Sequence, residues 1–586
     1  MLQILPSSIS NLIAAGEVVG RPASVVKELL ENAIDAGGKN ISVIILDAGR
    51  TLIQVIDDGC GMTDEEAALC FERHSTSKIA TAQDLERIST YGFRGEALAS
   101  IAAVAEVTLK TRKQEEEIGT QVIISESGIS SQEAVSTPVG SNFAIRNLFF
   151  NVPARRKFLK SDNAELRHII AEFTRVAITR PGIAMRLTVN GKDIYSLRAV
   201  ADAKHRIHDI FGREVINELV DVKTETSVVR ITGYIGKPED ARKTLGNQFF
   251  FVNGRYFRSP YFHKAVCKPY DKLIPDGYTP TYFLFLETPF DKVDVNIHPA
   301  KTEVKFEDES MIFEILMACI REALGKNSFI PSIDFDTEGA VEIPSMSHKY
   351  DREGYIAPPK IDYDPLFNPF RESAFENAPK EPIIDRSEQY GILYEEQSAA
   401  VQNKILVIQK KYIVTPVKSG LLVINIRRAN ERILYERYLE SVVEQQPITQ
   451  QSLFPQTIKL SHEEYLIMID SLSLTEKLGF DIRDFGNDSV IVYGLPDGFS
   501  ADDEAVKIAV DALIASLKED EYLSDNKPEI AANLAKSAAA GDKKALNQEE
   551  AQILVDQLFA CRESSTAPDG RKCMSIITIE ELEKRL

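Results

Sequence analysis

Tryptophan is absent from this chain of 586 residues, cysteine is scarce, and long apolar runs are missing. None of the six cysteines stands in a Cys-x-x-Cys pair, which argues against a disulfide framework or a zinc ribbon and favours reduced thiols. No apolar run approaches the roughly 18 residues that a membrane helix needs. The first residues lack the basic segment and cleavage site of a signal peptide. We therefore expect a cytoplasmic protein with no membrane partner.

Positive charge is also in short supply. The chain has 68 basic and 88 acidic residues, for a net charge of −20. An acidic chain is unusual for a DNA-binding protein, but a local basic surface, not the total charge, decides such binding. Its hydrophobic content of 44% is ordinary, so each domain can bury a core.

Hydrophobic periodicity divides the chain into two globular parts. Before residue 325, the segment 25–36 has apolar residues at helical spacing, and 41–46 and 52–57 resemble buried strands. From 331 onwards the chain is rich in proline and acidic residues, which is typical of a disordered linker. Order resumes near Lys404 with two strand-like runs, followed by a helix over 428–443.

The first candidate motif places Glu28 and Asn32 four residues apart on the predicted helix, and therefore on one face of it. A carboxylate in such a position can orient and deprotonate a water molecule. An amide oxygen one turn later can ligate Mg²⁺, which prefers hard oxygen ligands. Alone, the pair is also compatible with a solvated helix face.

The second motif, Asp57-Asp58-Gly59-Cys60-Gly61-Met62, follows a predicted strand directly. A carboxylate at a strand end can accept a hydrogen bond from an exocyclic amine such as that of adenine. The glycines allow a tight turn that comes close to a ligand, although a plain Asp-Gly turn has the same sequence.

The third motif runs from Tyr91 to Leu98 and is preceded by His74-Ser75-Thr76-Ser77-Lys78. Gly92 and Gly95 free backbone N–H groups just before a predicted helix, which favours an anion cradle at a helix N-terminus. A flexible loop is the alternative for this segment taken alone. The chain contains no Gly-x-x-x-x-Gly-Lys-Ser/Thr loop, so it is not a P-loop ATPase.

In this order the three motifs resemble the GHKL ATPases, a superfamily that includes gyrase-type topoisomerases, Hsp90 chaperones, histidine kinases and MutL. The resemblance implies that Glu28 is the general base, that Asn32 binds Mg²⁺ and that Asp57 binds adenine, while residues 92–98 form a lid. It implies ATP and Mg²⁺ as cofactors. The remaining nucleotide-binding residues would be Gly61, Met62, Thr76, Ser77, Lys78, Gly92, Phe93, Arg94, Gly95, Glu96, Ala97, Leu98 and Ser141.

Within that superfamily, the chain resembles MutL. Histidine kinases lack a catalytic Glu one turn before the Asn, and the acidic metal cluster of the gyrase-type enzymes is not evident in a folded segment. Three stretches, at 13–37, 148–160 and 294–306, are similar to MutL sequences, and the last would place Lys301 on the γ-phosphate from a second domain. Gly20 stands where Glu is usual and Ser141 where Thr is usual.

The resemblance implies a multidomain protein of α/β and α+β class. We expect a GHKL (Bergerat-type) ATPase sandwich over 1–205, a ribosomal-protein-like α/β transducer domain over 206–330, a disordered linker over 331–398 and an α+β dimerisation domain over 399–586. ATP would close the N-terminal halves of a homodimer on DNA. That closure would couple mismatch recognition by a MutS-type protein to a downstream nuclease and helicase.

Basic residues in the first half are the candidates for non-specific DNA contact, with a solvated surface as the equal alternative. Their binding would depend strongly on salt. They are Arg155, Arg156, Arg255, Arg258 and Lys264.

The C-terminal part could hold a second activity, because many MutL relatives nick DNA with a metal site. In the matching stretch Asn425 and Arg427 replace Asp and His, while Glu431 and Glu436 remain. Metal sites of this type need imidazole, thiolate and carboxylate ligands, so we expect no endonuclease activity. A rearranged site at Glu431, Asp569 and Cys573 is the alternative, and a chaperone or scaffold of the same superfamily is a third hypothesis.

A short apolar peptide in the same part resembles the sliding-clamp-binding segment of MutL proteins. Gln450, Leu453, Phe454 and Pro455 carry the resemblance. A glutamine followed by an apolar pair suits a shallow hydrophobic pocket, although a loop with core Leu and Phe fits the same letters.

Overall fold

The computed structural model describes most of the chain outside the acidic segment. The described residues are 15–16, 19–78, 95–125, 128–242, 247–275, 278–294, 304–327, 405–444, 447–499, 503–519, 527–541 and 546–584. The predicted linker, Lys301 and residues 92–94 lie outside them. We use the terms N-terminal lobe for residues 19–197, middle lobe for 203–327 and C-terminal lobe for 405–584.

The N-terminal lobe is built on one mixed sheet of eight strands. The strands lie in the order β5-β4-β3-β6-β2-β1-β7-β8, and only the β1–β7 pair among them is parallel. They are β1 Asn40–Leu46, β2 Leu52–Asp57, β3 Glu106–Arg112, β4 Gly119–Ser125, β5 Gly128–Val135, β6 Gly140–Arg146, β7 Ala184–Val189 and β8 Lys192–Leu197. The predicted strands at 41–46 and 52–57 are therefore confirmed as the neighbours β1 and β2.

Five α-helices are described in this lobe, and all except the short helix at 153–158 bury residues in its core. They are α1 Pro22–Asp35, α2 Asp64–Leu69, α3 Ala97–Val104, α4 Pro153–Phe158 and α5 Asp162–Thr179. Helix α1 begins at a proline, whose fixed φ suits the first turn. Its Val26, Leu29 and Leu30 are buried in the core that it shares with the sheet and with α5.

The middle lobe has a five-stranded sheet in the order β12-β11-β13-β10-β9, in which β11 and β13 are parallel. Its elements are α6 Ala203–Phe211, α7 Arg213–Asn217, β9 Leu219–Glu225, β10 Arg230–Gly236, β11 Gln248–Val252, β12 Arg255–Phe257, α8 Pro260–Cys267, β13 Tyr282–Glu287, β14 Val293–Asp294, β15 Lys305–Phe306 and α9 Glu309–Lys326. Helices α8 and α9 pack against each other, and α9 also contacts β9.

Two features join the middle lobe to the N-terminal lobe. Ile178 at the end of α5 is buried with Phe251 and Phe283 of the second sheet, whose rings belong to a row of stacked aromatics. Arg206 of α6 is fully buried, and its guanidinium donates to the carbonyls of Pro181, Ile183 and Arg198. Because a buried arginine needs such acceptors, this contact fixes the position of α6.

The C-terminal lobe contains two antiparallel sheets, in the orders β16-β17-β18-β22 and β19-β21-β20. Its elements are β16 Leu406–Ile408, β17 Tyr412–Val417, β18 Gly420–Asn425, α10 Ile426–Glu444, β19 Thr449–Lys459, α11 His462–Lys477, β20 Asp481–Gly486, β21 Ser489–Pro496, α12 Asp503–Glu519, α13 Lys527–Gly541, α14 Gln548–Ala560, β22 Met574–Thr578 and α15 Ile579–Glu583. Three strands stand where the sequence predicts two strand-like runs, since a turn at residues 409–411 separates β16 from β17.

The expected α/β and α+β classes agree with these elements: the N-terminal and middle lobes each combine a mixed sheet with helices, and the C-terminal lobe combines antiparallel sheets with helices. Within the described ranges no helix is both long enough and apolar enough to cross a membrane.

Candidate functional site

The three sequence motifs meet at one cleft of about 820 Å³ in the N-terminal lobe. Helix α1 forms one wall, the turn after β2 forms the next, and the start of α3 with residues 75–78 completes it. Polar side chains of all three motifs therefore line one cleft. A cleft of this size accommodates a mononucleotide.

Helix α1 presents Glu28, Asn32 and Asp35 to the cleft at intervals of one turn. The Lys78 ammonium lies 2.6 Å from the Asp35 carboxylate and donates to the Asn32 amide oxygen at 3.2 Å. The Lys78 ammonium therefore lies beside both the Asn32 amide oxygen, which is the predicted Mg²⁺ ligand, and the Asp35 carboxylate.

Asp57 is the last residue of β2 and is buried on the opposite wall. Burial raises the pKa of its carboxyl to about 6, and the negative charge of Asp58 adds to this, while hydrogen bonds from the backbone of Gly59 and Ser141 oppose it. The Gly59 N–H donates to the Asp57 carboxylate at 2.9 Å. A further hydrogen bond to this buried carboxylate would stabilise its ionised form.

The turn after β2 comes close to its neighbours and needs glycine. Gly61 has φ +66°, and a Cβ there would meet the Arg112 carbonyl oxygen at 2.1 Å. The next residue, Met62, donates its N–H to the hydroxyl of Thr111, a fully buried residue of β3. Thr111 also lies 3.3 Å from the Ser141 hydroxyl, so it joins the turn to β6.

The third wall combines the beginning of α3 with the segment before it. Gly95 has φ +62°, and a Cβ there would meet the carbonyl oxygen of Ser75 at 2.4 Å. Its own carbonyl accepts from the N–H of His74 at 3.0 Å. Thr76 and Ser77 line the cleft beside Glu96, Ala97 and Leu98. The first N–H groups of α3 therefore lie at the cleft, where they can donate to an anion.

The structure thus brings nearly all of the predicted nucleotide-binding residues together. Gly92, Phe93, Arg94 and Lys301 are the exceptions, since they lie outside the described residues. For a divalent ion, the donor set fits: the Asn32 amide oxygen is a hard ligand on the cleft wall, and phosphate oxygens and water would complete the coordination.

Several cleft residues were not predicted from the sequence. Lys113 and Glu66 form an ion pair of 2.7 Å at the cleft, and Leu69, Cys70 and Phe143 supply apolar lining. Burial raises the pKa of the Cys70 thiol to about 12, so it acts as an apolar group. Among these, only the ring of Phe143 could have been inferred, from the alternation of the strand in which it lies.

The five predicted DNA contacts occupy different surroundings. Arg156 and Lys264 are exposed, and Arg258 is exposed with its Nε donating to the Tyr256 hydroxyl at 3.0 Å. Arg155 is half-buried against Gly16. Arg255 is half-buried in a small cavity between the N-terminal and middle lobes.

The C-terminal stretch that matches the nuclease motif lies at the start of α10. Glu431 is buried, and burial together with the nearby charge of Asp569 raises the pKa of its carboxyl. Arg432 is buried beside it, with its Nε donating to the Thr566 carbonyl at 2.6 Å. Its guanidinium lies 3.7 Å from both the Glu436 and Glu563 carboxylates.

Other polar groups of this stretch also have hydrogen-bond partners within the protein. Glu436 accepts the backbone N–H groups of Arg562 and Glu563. Burial raises the pKa of the Cys573 thiol to about 11, and that thiol donates to the Arg428 carbonyl. Arg427 is exposed, but its positive charge acts on the Glu431 carboxyl and opposes the rise in pKa that burial causes there. Arg432, which the sequence comparison did not single out, is a second cation of this stretch, beside Glu436 and Glu563.

The clamp-like peptide lies within β19 rather than in a loop that leads into a strand. The pairing of β19 with β21 breaks between Gln451 and Gln456, so residues 452–455 bulge out of the ladder. Phe454 is 82% exposed, and the Ser452 hydroxyl donates to its carbonyl. The alternative of a core Phe is therefore wrong for Phe454.

Three parts of the chain match known families. Residues 21–144 match the family described as histidine kinase-, DNA gyrase B- and HSP90-like ATPase. Residues 207–325 match the C-terminal domain of DNA mismatch repair protein, and residues 405–546 match the MutL C-terminal dimerisation domain.

Relatives match over the whole chain. It is 43% identical over 624 aligned residues to the DNA mismatch repair protein MutL of Bacteroides fragilis, and 44% identical over 618 to that of Parabacteroides distasonis, covering 100% of this chain and 99% of each relative. A solved ADP complex of the Aquifex aeolicus MutL ATPase domain is similar over 51% of this chain and 98% of its own, at 24% identity and a TM-score of 0.36. On the strength of the full-length relatives, the chain belongs to the MutL family of DNA mismatch-repair proteins.

Proposed function

We propose that this chain is the ATP-driven switch of mismatch repair. It binds ATP with Mg²⁺, hydrolyses it slowly, and uses the cycle to close and open the N-terminal lobes of a homodimer on DNA. Closure couples recognition by a MutS-type protein to strand incision and removal by a separate nuclease and helicase. The observation that carries the proposal is the arrangement of Glu28 and Asn32 across one cleft from the buried Asp57.

In the proposed reaction, Glu28 orients a water molecule in line with the γ-phosphate and takes its proton. The Asp57 carboxylate accepts a hydrogen bond from the exocyclic amine of adenine. This contact sets the position of the phosphates relative to Glu28. The N–H groups at the start of α3, with Thr76 and Ser77, donate to phosphate oxygens. Catalysis is then a matter of positioning and charge stabilisation.

Mg²⁺ would be held by the Asn32 amide oxygen, and when bound it neutralises charge on the phosphates. Lys78 lies 3.2 Å from that oxygen and 2.6 Å from the Asp35 carboxylate, and from this position its ammonium would be able to donate to a phosphate oxygen. Lys301, on the family pattern, would approach the γ-phosphate from the middle lobe and report whether ATP is intact.

The C-terminal lobe would form the permanent contact of the dimer through the open face of its four-stranded sheet. Leu406, Ile408 and Tyr412 are exposed on neighbouring strands, and the half-buried Val414 and Val423 lie on the same face by register. An apolar sheet face of this kind is typical of an interface. A second copy of the chain is the occupant, because the matching family is described as a dimerisation domain.

We propose that the C-terminal lobe has no nuclease activity. Glu436 is bonded to two backbone N–H groups and lies beside the Arg432 guanidinium, so its charge is already compensated. The buried Cys573 thiol donates to the Arg428 carbonyl, so a metal ion could bind it only if that hydrogen bond broke and the thiol lost its proton. Metal binding in this stretch would require several existing contacts to break. The alternative of a nicking enzyme would depend on Glu431, Asp569 and Cys573, whose charges interact with one another, but among the described residues no group of three or more His, Cys, Asp or Glu is placed to hold a metal ion.

DNA contact is proposed for Arg156, Arg258 and Lys264, which are exposed, and for Arg155 if its side chain turns outward. A sliding clamp is proposed as a further partner, bound by the bulge of β19. The exposed ring of Phe454 suits a shallow apolar pocket, and Gln450 lies in the paired part of the strand just before the bulge. The side chain of Leu453 lies outside the described residues.

Substitution of the general base should separate ATP binding from hydrolysis. Glu28→Ala is expected to lower kcat by about 100-fold or more, which is typical for loss of a general base. ATP affinity should change little, because Glu28 acts on water and not on the nucleotide. The exposed carboxylate variant Glu65→Ala serves as the control and should hydrolyse ATP at the wild-type rate. Equal hydrolysis by wild type and Glu28→Ala would contradict the assignment.

The purified wild-type protein should leave supercoiled plasmid intact in the presence of Mn²⁺, as followed on agarose gels. The reason is that the Glu436 carboxylate already interacts with the Arg432 guanidinium and accepts a hydrogen bond from the backbone N–H of Arg562. Nicking by the pure protein that disappears in Glu431→Ala would overturn this prediction and favour the rearranged metal site.

Nucleotide affinity should depend on pH through Asp57. The pKa of this carboxyl is about 6 in the free protein, and the adenine amine favours its ionised form, so binding must release a proton below that pH. The affinity for ADP is therefore expected to fall as pH drops below about 6, by up to about tenfold per unit. Calorimetry at fixed Mg²⁺ measures it, and Asp57→Asn corrects for titration of the phosphates. The same pH profile in both proteins would exclude Asp57 as the cause.

Clamp binding should depend on the β19 bulge. Leu453→Ala with Phe454→Ala is expected to weaken binding to an immobilised bacterial sliding clamp by at least about tenfold, since such apolar anchors dominate small interfaces. Phe485→Ala, which removes another exposed ring of the same lobe, is the matched control. Undiminished binding by the double variant would discard this partner site.

A further inference from the structure

A second, much smaller cavity lies between the N-terminal and middle lobes, next to the helix that carries Glu28. Its volume is about 30 Å³, so it holds at most a water molecule or two. Its charged lining comes from α1 (Lys27 and Glu31), α5 (Glu172 and Arg175) and the first residue of β12 (Arg255), and Tyr256 follows Arg255 in the same strand. Charged side chains from three elements and both lobes therefore line one small space.

Glu31 is the central acidic group of this cavity. It lies on α1 between Glu28 and Asn32, yet it lines this cavity rather than the nucleotide cleft, and it is only 5% exposed. A carboxylate buried to this degree requires nearby positive charge or donors. The cations that line the same cavity are Lys27 on its own helix, Arg175 on α5 and Arg255 of the middle lobe.

Arg175 and Tyr256 give the cavity a rigid side. The Arg175 guanidinium forms an ion pair with Glu172 and lies 4.2 Å from the centre of the Tyr256 ring. That ring packs edge-on against Phe249 and Phe251, which belong to the stacked aromatic row between the lobes. A cation held over a ring in this way resists displacement.

Arg255 is placed by a tight hairpin. Its strand pairs with β11 so that Arg255 faces Val252, and the turn between them uses Asn253 and Gly254 at φ +48° and +81°. Two left-handed residues in succession define a type I′ geometry that matches the twist of the strands. The backbone at Arg255 is therefore fixed relative to the middle-lobe sheet.

We propose that Glu31 and Arg255 are positioning residues for ATP hydrolysis. Both side chains line the cavity. In this proposal the Arg255 guanidinium compensates the charge of the buried Glu31 carboxylate and so ties helix α1, with Glu28 and Asn32, to the middle lobe. A movement of the middle lobe is then transmitted directly to the general base and to the metal ligand. The inference rests on the proposed ATPase function, and it assigns Arg255 to this contact and not to DNA.

The test is a double-mutant cycle with Glu31→Gln, Arg255→Gln and the charge exchange Glu31→Arg with Arg255→Glu. Each single variant is expected to lower kcat by about tenfold or more with the affinity for ATP within about threefold, since misplacement by a fraction of an ångström affects chemistry more than binding. The two losses should not add, because both variants break one contact. The charge exchange should recover part of the rate.

A second measurement does not depend on hydrolysis. In the ligand-free protein, Arg255→Gln should speed amide hydrogen exchange in residues 28–35, whereas Arg321→Gln, which removes an exposed arginine of the same lobe, should leave it unchanged. Faster exchange in a chain that does not hydrolyse ATP would overturn only the proposed function. Additive kcat losses, or exchange in residues 28–35 that Arg255→Gln leaves unchanged, would overturn the contact.

The alternative, that Arg255 contacts DNA, is tested by the salt dependence of DNA binding. Arg255→Gln should leave the salt slope of DNA binding as it is in the wild type, because Arg255 is not a phosphate contact in this account. A flatter slope, with kcat unchanged, would return Arg255 to the DNA footprint.

Discussion

The burial of helix α1 is the constraint on which the rest of the structure depends. Val26, Leu29 and Leu30 fix one side of the helix in the core between the eight-stranded sheet and α5. With that side fixed, Glu28 and Asn32 face the cleft and Glu31 faces the cavity beside the middle lobe. One packed helix thus sets the geometry of both polar sites, and neither site can shift without the other.

Local sequence predicts the parts of the cleft that depend on periodicity. Strands β1 and β2 follow from their apolar runs, and the position of Asp57 at a strand end follows from β2. The four-residue spacing of Glu28 and Asn32 suffices to place them on one helix face. Gly61 and Gly95, with positive φ, occupy positions where a side chain would meet backbone, as their motifs suggest.

The remaining features depend on tertiary contacts between distant segments. Thr111 holds the turn at Met62 from a strand about fifty residues away, and nothing in its own neighbourhood marks it. The Lys78 contact to Asn32 and Asp35, and the cavity between Glu31 and Arg255, require the fold to be known. Motif comparison in the C-terminal lobe singles out Arg427, whose charge acts on Glu431, but it does not find the buried Arg432 beside Glu436 and Glu563. Helical periodicity alone cannot tell which arginine of α10 turns inward.

The central claim is that the cleft formed by α1, the β2 turn and α3 is where the nucleotide acts. Amide hydrogen exchange with and without Mg²⁺ and a non-hydrolysable ATP analogue tests this most directly. The account predicts slower exchange in residues 28–36, 57–62 and 95–104, with an accompanying change in 248–257 of the middle lobe. Unchanged exchange in those cleft segments at saturating analogue would contradict it.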